Sequence, residues 1–178
     1  NNKIVYPCNK STILLFLYTM KVKPIKEVLL LSDISKAFAE SLDLEFTLKS
    51  ILKSLDTHLK LQRGTITLLD QDTETINIKV AHGLSKQSEK LGTYKIGEGI
   101  TGMVVQSGRE IVVPDISKDN RFLHRTRSRA LTEGKKIAFF CVPIKLEGKT
   151  IGTLSVDRQS ERSGDFEAYV RLLNVIST

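Results

Sequence analysis

Two successive runs near the C-terminus constrain the fold more than anything else in the chain. Lys136-Ile-Ala-Phe-Phe-Cys-Val-Pro-Ile-Lys-Leu146 and Thr150-Ile-Gly-Thr-Leu-Ser-Val-Asp157 are rich in β-branched and aromatic residues, with Glu147-Gly148 at the turn between them. This is the pattern of a β-hairpin closed by a tight turn. Pro143 inside the first run implies a bulge, or a position where no N–H is needed. A second pair, Gly64–Leu69 and Thr75–Val80, is joined by the polar stretch Asp70–Thr73, and Glu110–Asp115 adds a short strand ended by Pro114. Hairpins of this kind pair into an antiparallel sheet, whose apolar face must be covered.

The cover comes from a different periodicity at both ends of the chain. Pro24 suits a first helical position, where its missing N–H costs nothing. Leu30, Ile34, Ala37 and Phe38 fall on one face, which predicts a helix over 24–41. Asp43 can cap a second helix over 44–60, whose apolar stripe is Leu44, Leu48, Ile51, Leu52, Leu55 and Leu59. Asp165 and Glu167 favour a last helix start, and Tyr169, Leu172, Leu173 and Ile176 line one face of a helix over 165–178 that reaches Thr178 without a capping signal. Short helices are predicted at Ser85–Leu91 and Thr101–Gln106. The fold class is therefore α+β, with helices packed on one face of an antiparallel sheet.

Length fits one domain, expected to span 24–178. Residues 1–23 read as a peripheral leader: Met20-Lys-Val-Lys-Pro24 looks like a natural start, and 1–19 are expected to be dispensable. The apolar run Ile13–Tyr18 is too short to cross a bilayer. Cys8 and Cys141 are the only cysteines, which excludes a disulfide framework and points to a reducing, cytoplasmic setting.

The chain carries 27 Lys and Arg against 20 Asp and Glu, a net charge of +7. Residues 118–136 hold seven of the bases and two acids, so five units of the excess lie in one predicted loop. Arginine forks grip carboxylates and phosphates bidentately. Arg121, Arg125, Arg127 and Arg129, with Phe122 and Lys136, are accordingly the candidate ligand-binding residues. A solvated loop, or one docked on a partner, is the alternative. Phe122 is the only aromatic inside the cluster and no helix-turn-helix pattern is present, so direct nucleic-acid contact is not expected. The glycines of Gly97–Gly102 match no phosphate-binding fingerprint and predict a tight strand-to-helix turn. No nucleophile signature is present.

Gly97-Glu-Gly-Ile-Thr-Gly102, Ser107-Gly-Arg-Glu-Ile-Val-Val-Pro-Asp115 and the closing hairpin through Asp157 resemble the core pattern of GAF domains over about residues 25–178. Arg121-Phe-Leu-His-Arg-Thr126, Lys136–Ile144 and Leu154-Ser-Val-Asp-Arg158 are similar to the N-terminal regulatory domain of NifA-type activators, which work with the nitrogen-type sigma factor. The resemblance implies a six-stranded antiparallel sheet with helices behind it and a ligand pocket in front, beneath the basic loop. It implies a non-enzymatic sensor. A homodimer built through the helices at 24–41 and 165–178 is expected, because both are amphipathic and the last one is unfinished. That sensor would control an AAA+ ATPase domain absent from this chain, in response to a small anionic effector such as 2-oxoglutarate or a nucleotide. No resident cofactor is expected. Cyclic-nucleotide-binding relatives carry an Asn-Lys-x-x-x-Phe-x-x-x-Asp-Glu pattern, and Ser155–Glu167 lacks its Asn-Lys. Alternatives are a ligand-free interaction module and a gas sensor, with non-haem iron held by Cys141, Asp115 and Asp157 or haem held by His82 or His124.

Overall fold

Asp43 fixes the first corner. Its carboxylate accepts from the backbone N–H groups of Glu45 at 2.8 Å and Phe46 at 3.2 Å, two of the donors that a helix start leaves unpaired. It thereby divides α1 (Pro24–Glu40) from α2 (Leu44–Leu59). The computed structural model describes residues 24–129, 136–160 and 166–177; the predicted leader, 1–23, lies outside the described residues. After the two helices come β1 (Gln62–Asp70), β2 (Thr75–Ala81), α3 (Lys86–Leu91), β3 (Thr93–Lys95), α4 (Gly99–Ser107) and β4 (Ile111–Val113). A single 3-10 turn (Ile116–Lys118), β5 (Lys136–Leu146), β6 (Lys149–Ser160) and α5 (Phe166–Ile176) complete the order.

The six strands form one antiparallel sheet in the order β3-β2-β1-β6-β5-β4. The β5–β6 hairpin is its spine, running from Lys136 opposite Ser160 to Leu146 opposite Lys149. Glu147 and Gly148 both have positive φ, 50° and 79°, the backbone of the tight turn whose twist matches the strands it joins. The register slips one residue past Pro143, between Ile144 and Lys145. β4 pairs only with Phe139–Cys141, so among the described residues no strand lies beside Pro143 on that side. β3 is three residues long and has no alternating pattern of its own, so residue patterning alone does not reveal it; Thr93 and Lys95 pair with Asn77 and Thr75.

Strand alternation divides the core in two. Ile66, Val80, Phe140, Val142, Leu154 and Val156 face the helices and pack on Leu52, Leu55 and Leu173. Ile137, Phe139 and Cys141 point the other way, onto Ile100, Val104 and Ile116. Two predicted core positions are not in the core: Phe38 is 60% exposed and Leu44 66%. α1 turns Leu30 and Ala37 inward, and Phe38, one residue on, is rotated off that face. Leu44 is the first residue of α2, ahead of its buried positions Thr47, Ile51, Leu52 and Leu55. Arg158 ties the helices to the sheet: its guanidinium lies 4.5 Å from the Tyr169 ring of α5, and its Nη1 donates to the Leu59 carbonyl at 2.9 Å.

Candidate functional site

On the face opposite the helices, β1 and β6 present polar side chains at alternate positions. The Thr65 and Ser155 hydroxyls lie 2.6 Å apart, and those of Thr67 and Thr153 2.7 Å. All four residues are buried, and each hydroxyl answers the other's hydrogen-bonding need, which removes most of the cost of burying them. Asp157 continues the row and is wholly buried. Its Oδ2 accepts from Arg63 Nε at 2.8 Å and Arg129 Nε at 2.6 Å, and its Oδ1 accepts from Arg129 Nη2 at 2.8 Å. Arg63 reaches Asp157 from β1 at a bulge: Gln62 stands opposite Asp157 but Thr65 opposite Ser155. Its backbone is left-handed there, φ 47°.

The wall of the pocket is α4, which begins directly after β3. Gly97 N–H bonds the Gly102 carbonyl at 2.9 Å. A side chain at Gly102 would overlap the Lys95 carbonyl, so only glycine allows this close approach. The turn has the structural role predicted for it. Ile100 and Thr101 from α4, Tyr94 from β3 and Ile78 from β2 complete the wall.

The lid is the basic loop. Phe122 packs edge-on against Phe139, with ring centres 5.0 Å apart, and against His124 at 4.8 Å. The Arg129 guanidinium lies 4.8 Å from the centre of the Phe122 ring, and Nη1 also donates to Thr126 Oγ1 at 3.2 Å. Arg125 pairs with Glu98 and lies 5.5 Å from the Tyr94 ring. His124 and Arg127 hold φ of 48° and 50°, a conformation that non-glycine residues keep only when their surroundings impose it. The space left beneath the lid is about 30 Å³, above the roughly 10–15 Å³ that a cavity needs to hold a water molecule.

The local electrostatics follow from these contacts. The backbone N–H of Lys95, and then Arg125, hold the Glu98 carboxyl below its ordinary range. Burial pushes the Tyr94 hydroxyl up. Burial, assisted by the charge of Arg129, pushes the His124 imidazole down. Both aromatic groups are thus neutral near pH 7.

Of the predicted ligand residues, Phe122, Arg125 and Arg129 line this space. Arg121 lies outside it, forked onto Asp119 at 2.9 and 2.6 Å. Arg127 is exposed, with no carboxylate partner among the described residues, and Lys136 is exposed at the start of β5. The forks do grip carboxylates, and the carboxylates are the chain's own. The alternative metal set is not brought together. Asp115 caps the 3-10 turn by accepting from Ser117 N and Oγ, and Asp157 is taken by two arginines. Cys141 is fully buried among apolar side chains, and burial pushes its thiol up to about 12. Among the described residues no group of three His, Cys, Asp or Glu is arranged to hold a metal ion. Of the candidate haem ligands, His82 Nε2 meets Asp56 at 3.1 Å, and His124 lines the pocket. Sequence reasoning missed Arg63, Tyr94 and the hydroxyl floor. The signal was there in Thr65-Ile-Thr67 and Thr153-Leu-Ser-Val-Asp157: polar residues at every second position of central strands.

Comparison with known proteins agrees with this architecture. The family model for the GAF domain matches residues 43–178. The nitrogen fixation protein AnfA of Azotobacter vinelandii is 39% identical over 155 residues, 86% of this chain and 29% of AnfA. A Nif-specific regulatory protein of Herbaspirillum seropedicae is 38% identical over 154 residues, 85% of this chain and 28% of that protein. The chain thus spans less than a third of the length of these relatives. Among solved structures, the nlh2 GAF domain of A. aeolicus in an inactive state superposes with a TM-score of 0.75 at 28% identity, covering 87% of this chain and 93% of that one. The free methionine-R-sulfoxide reductase of Neisseria meningitidis shares the fold, with a TM-score of 0.64 at 16% identity over 85% of this chain and 86% of that one. A hairpin-spined six-stranded sheet with helices behind it is the architecture these structures share, and the chain belongs to the GAF domain family.

Proposed function

We propose that this chain is the effector-sensing, non-enzymatic domain of a NifA-type activator of nitrogen-fixation genes. The observation that carries the reading is a polar pocket closed by the chain's own basic loop, in a sequence similar to Nif regulators along most of its length. A small anionic effector, of the 2-oxoglutarate or nucleotide class, opens that loop and binds beneath it. Binding shifts a dimer between two arrangements only to the extent that the effector prefers one of them. The dimer is built through α1 and α5, and an attached AAA+ ATPase domain reads its state. Val28, Leu31 and Phe38 support the dimer: they are 61%, 48% and 60% exposed and, at spacings of three and seven, share one stripe of α1 that Ser35 interrupts. Among the described residues no helix is long and apolar enough to cross a membrane.

A thermal-shift screen of metabolites against the 178-residue chain tests the reading. At a hundred times its dissociation constant, an effector raises stability by about 2.7 kcal/mol. Light scattering with and without that effector then reports the dimer. A screen in which no metabolite shifts the melt favours the rival reading, a ligand-free interaction module; the small space beneath the lid is the observation on that side.

A further inference from the structure

Three charged side chains meet beside the pocket, Arg129 lining it and Asp157 and Arg63 behind, and their sum is not zero. Asp157, wholly buried, receives Arg63 at 2.8 Å and Arg129 at 2.6 and 2.8 Å. One carboxylate thus faces two guanidiniums, and neither can lose its proton in a protein. The exposures of the Arg63 and Arg129 side chains are 24% and 8%. The other ionisable groups around them cancel or are silent. Glu98 is spent on Arg125 and Asp119 on Arg121, while Tyr94, His124 and Cys141 are held neutral by burial. Among the described residues nothing answers the extra unit of positive charge.

We propose that Arg63, Asp157 and Arg129 form an anion anchor, in which Arg63 neutralises Asp157 and leaves the charge of Arg129 for one oxyanionic group, a carboxylate or a phosphate, of the ligand. This deepens the reading of the pocket as an effector site and rests on it. Among the described residues, Asp157 takes two of the five N–H donors of Arg129 and Thr126 one, which leaves two for the ligand. Charge balance selects the ligand class. An anion brings the buried cluster from one positive charge to none. A neutral ligand, or a cation that takes Arg129's place on Asp157, leaves the imbalance as it was. Burying an unmatched charge is costly, so only the first exchange lowers the energy of the cluster. Arg63 never touches the ligand in this scheme. It is a positioning residue that acts through Asp157: without it Arg129 and Asp157 form a neutral pair, and the pocket loses its attraction for anions.

The test titrates the 178-residue chain with inorganic phosphate and with succinate by calorimetry in low-chloride buffer, for the wild type, Arg63→Gln, Arg63→Lys, Arg129→Gln and Asp157→Asn. At least one anion binds the wild type, and which one does separates a phosphate-bearing effector from a carboxylate one. Arg63→Gln and Arg129→Gln weaken that binding at least tenfold. Arg63→Lys, which keeps the charge, stays within about threefold of wild type, and Asp157→Asn, which adds a positive unit, binds more tightly. Wild-type affinity in Arg63→Gln overturns the proposal, as does an equal loss in Arg63→Lys and Arg63→Gln, which would make the role one of shape. If Arg63→Gln does not fold, Asp157→Asn decides alone, and weaker binding there overturns the anchor. A neutral or cationic metabolite that stabilises the chain while neither anion binds overturns the anchor and leaves the effector reading standing. No response to any metabolite ends both.

Discussion

The two faces of β6 solve the problem of burial in different ways. Toward the helices, Leu154 and Val156 are closed in by Phe140, Leu52 and Leu173, and nothing there needs a partner. Toward the pocket, Thr153, Ser155 and Asp157 are equally inaccessible, yet each depends on a specific partner across the sheet or on the lid. Apolar contact is non-directional and tolerates small displacements, whereas hydrogen bonds and ion pairs fail steeply with distance and angle. The helix face is therefore tolerant of small displacements and the pocket face sensitive to them.

The comparison breaks most visibly where each face is most committed. Phe140→Ala empties the centre of the helix-side core and is expected to cost about 3–5 kcal/mol, read as a shift in the denaturation midpoint. Asp157→Ala leaves two guanidiniums without their carboxylate. It is expected to cost about 3 kcal/mol, less where water reaches Arg63, and to expose the lid to limited proteolysis at residues 119–129. The hydroxyl floor separates the two kinds of burial more finely. Thr65→Val or Ser155→Ala alone strands the partner hydroxyl and costs about 1–2 kcal/mol, whereas the double substitution falls well short of the sum of the two. Purely additive losses would mean that water reaches the pair.

Smaller effects test the surfaces. Val28→Ser with Phe38→Ser should leave the folded stability within about 1 kcal/mol, because both side chains are exposed. The same pair should convert the proposed dimer to monomer in light scattering. The pH dependence is the weakest lever. Burial lowers the His124 pKa from its ordinary 6.5, so the unfolded chain takes up this proton first. The stability His124 contributes is complete above about 6.5 and is lost as pH falls through its lower folded value. His124→Gln should flatten that part of the melting-temperature profile.

The helix side was legible in the sequence because periodicity is a one-body signal: Ile51, Leu52, Leu55 and Leu173 declare their face by spacing alone. Phe38 and Leu44 misled because apolar character says nothing about which neighbour is near. The pocket was half legible. A cluster of arginines announces that carboxylates are wanted but not whose they are, and Glu98 and Asp157 lie 27 and 28 residues along the chain from Arg125 and Arg129. Arg63 left no mark at all, because its role depends on a bulge set by register. The strand β3 is found by pairing with Asn77 and Thr75, not by a pattern of its own.

Arg158 follows Asp157 by a single peptide bond and points to the other side of the sheet, where it holds both Tyr169 and the end of α2. The barrier between pocket and helices is therefore one residue thick at this point. A twist of β6 about its own axis that moves the Asp157 carboxylate toward the lid carries the Arg158 guanidinium the opposite way, like the two ends of a rocker on one pivot. Arg129 on one side of β6 and, on the other, the end of α2 and Tyr169 of α5 are thus joined through two adjacent residues.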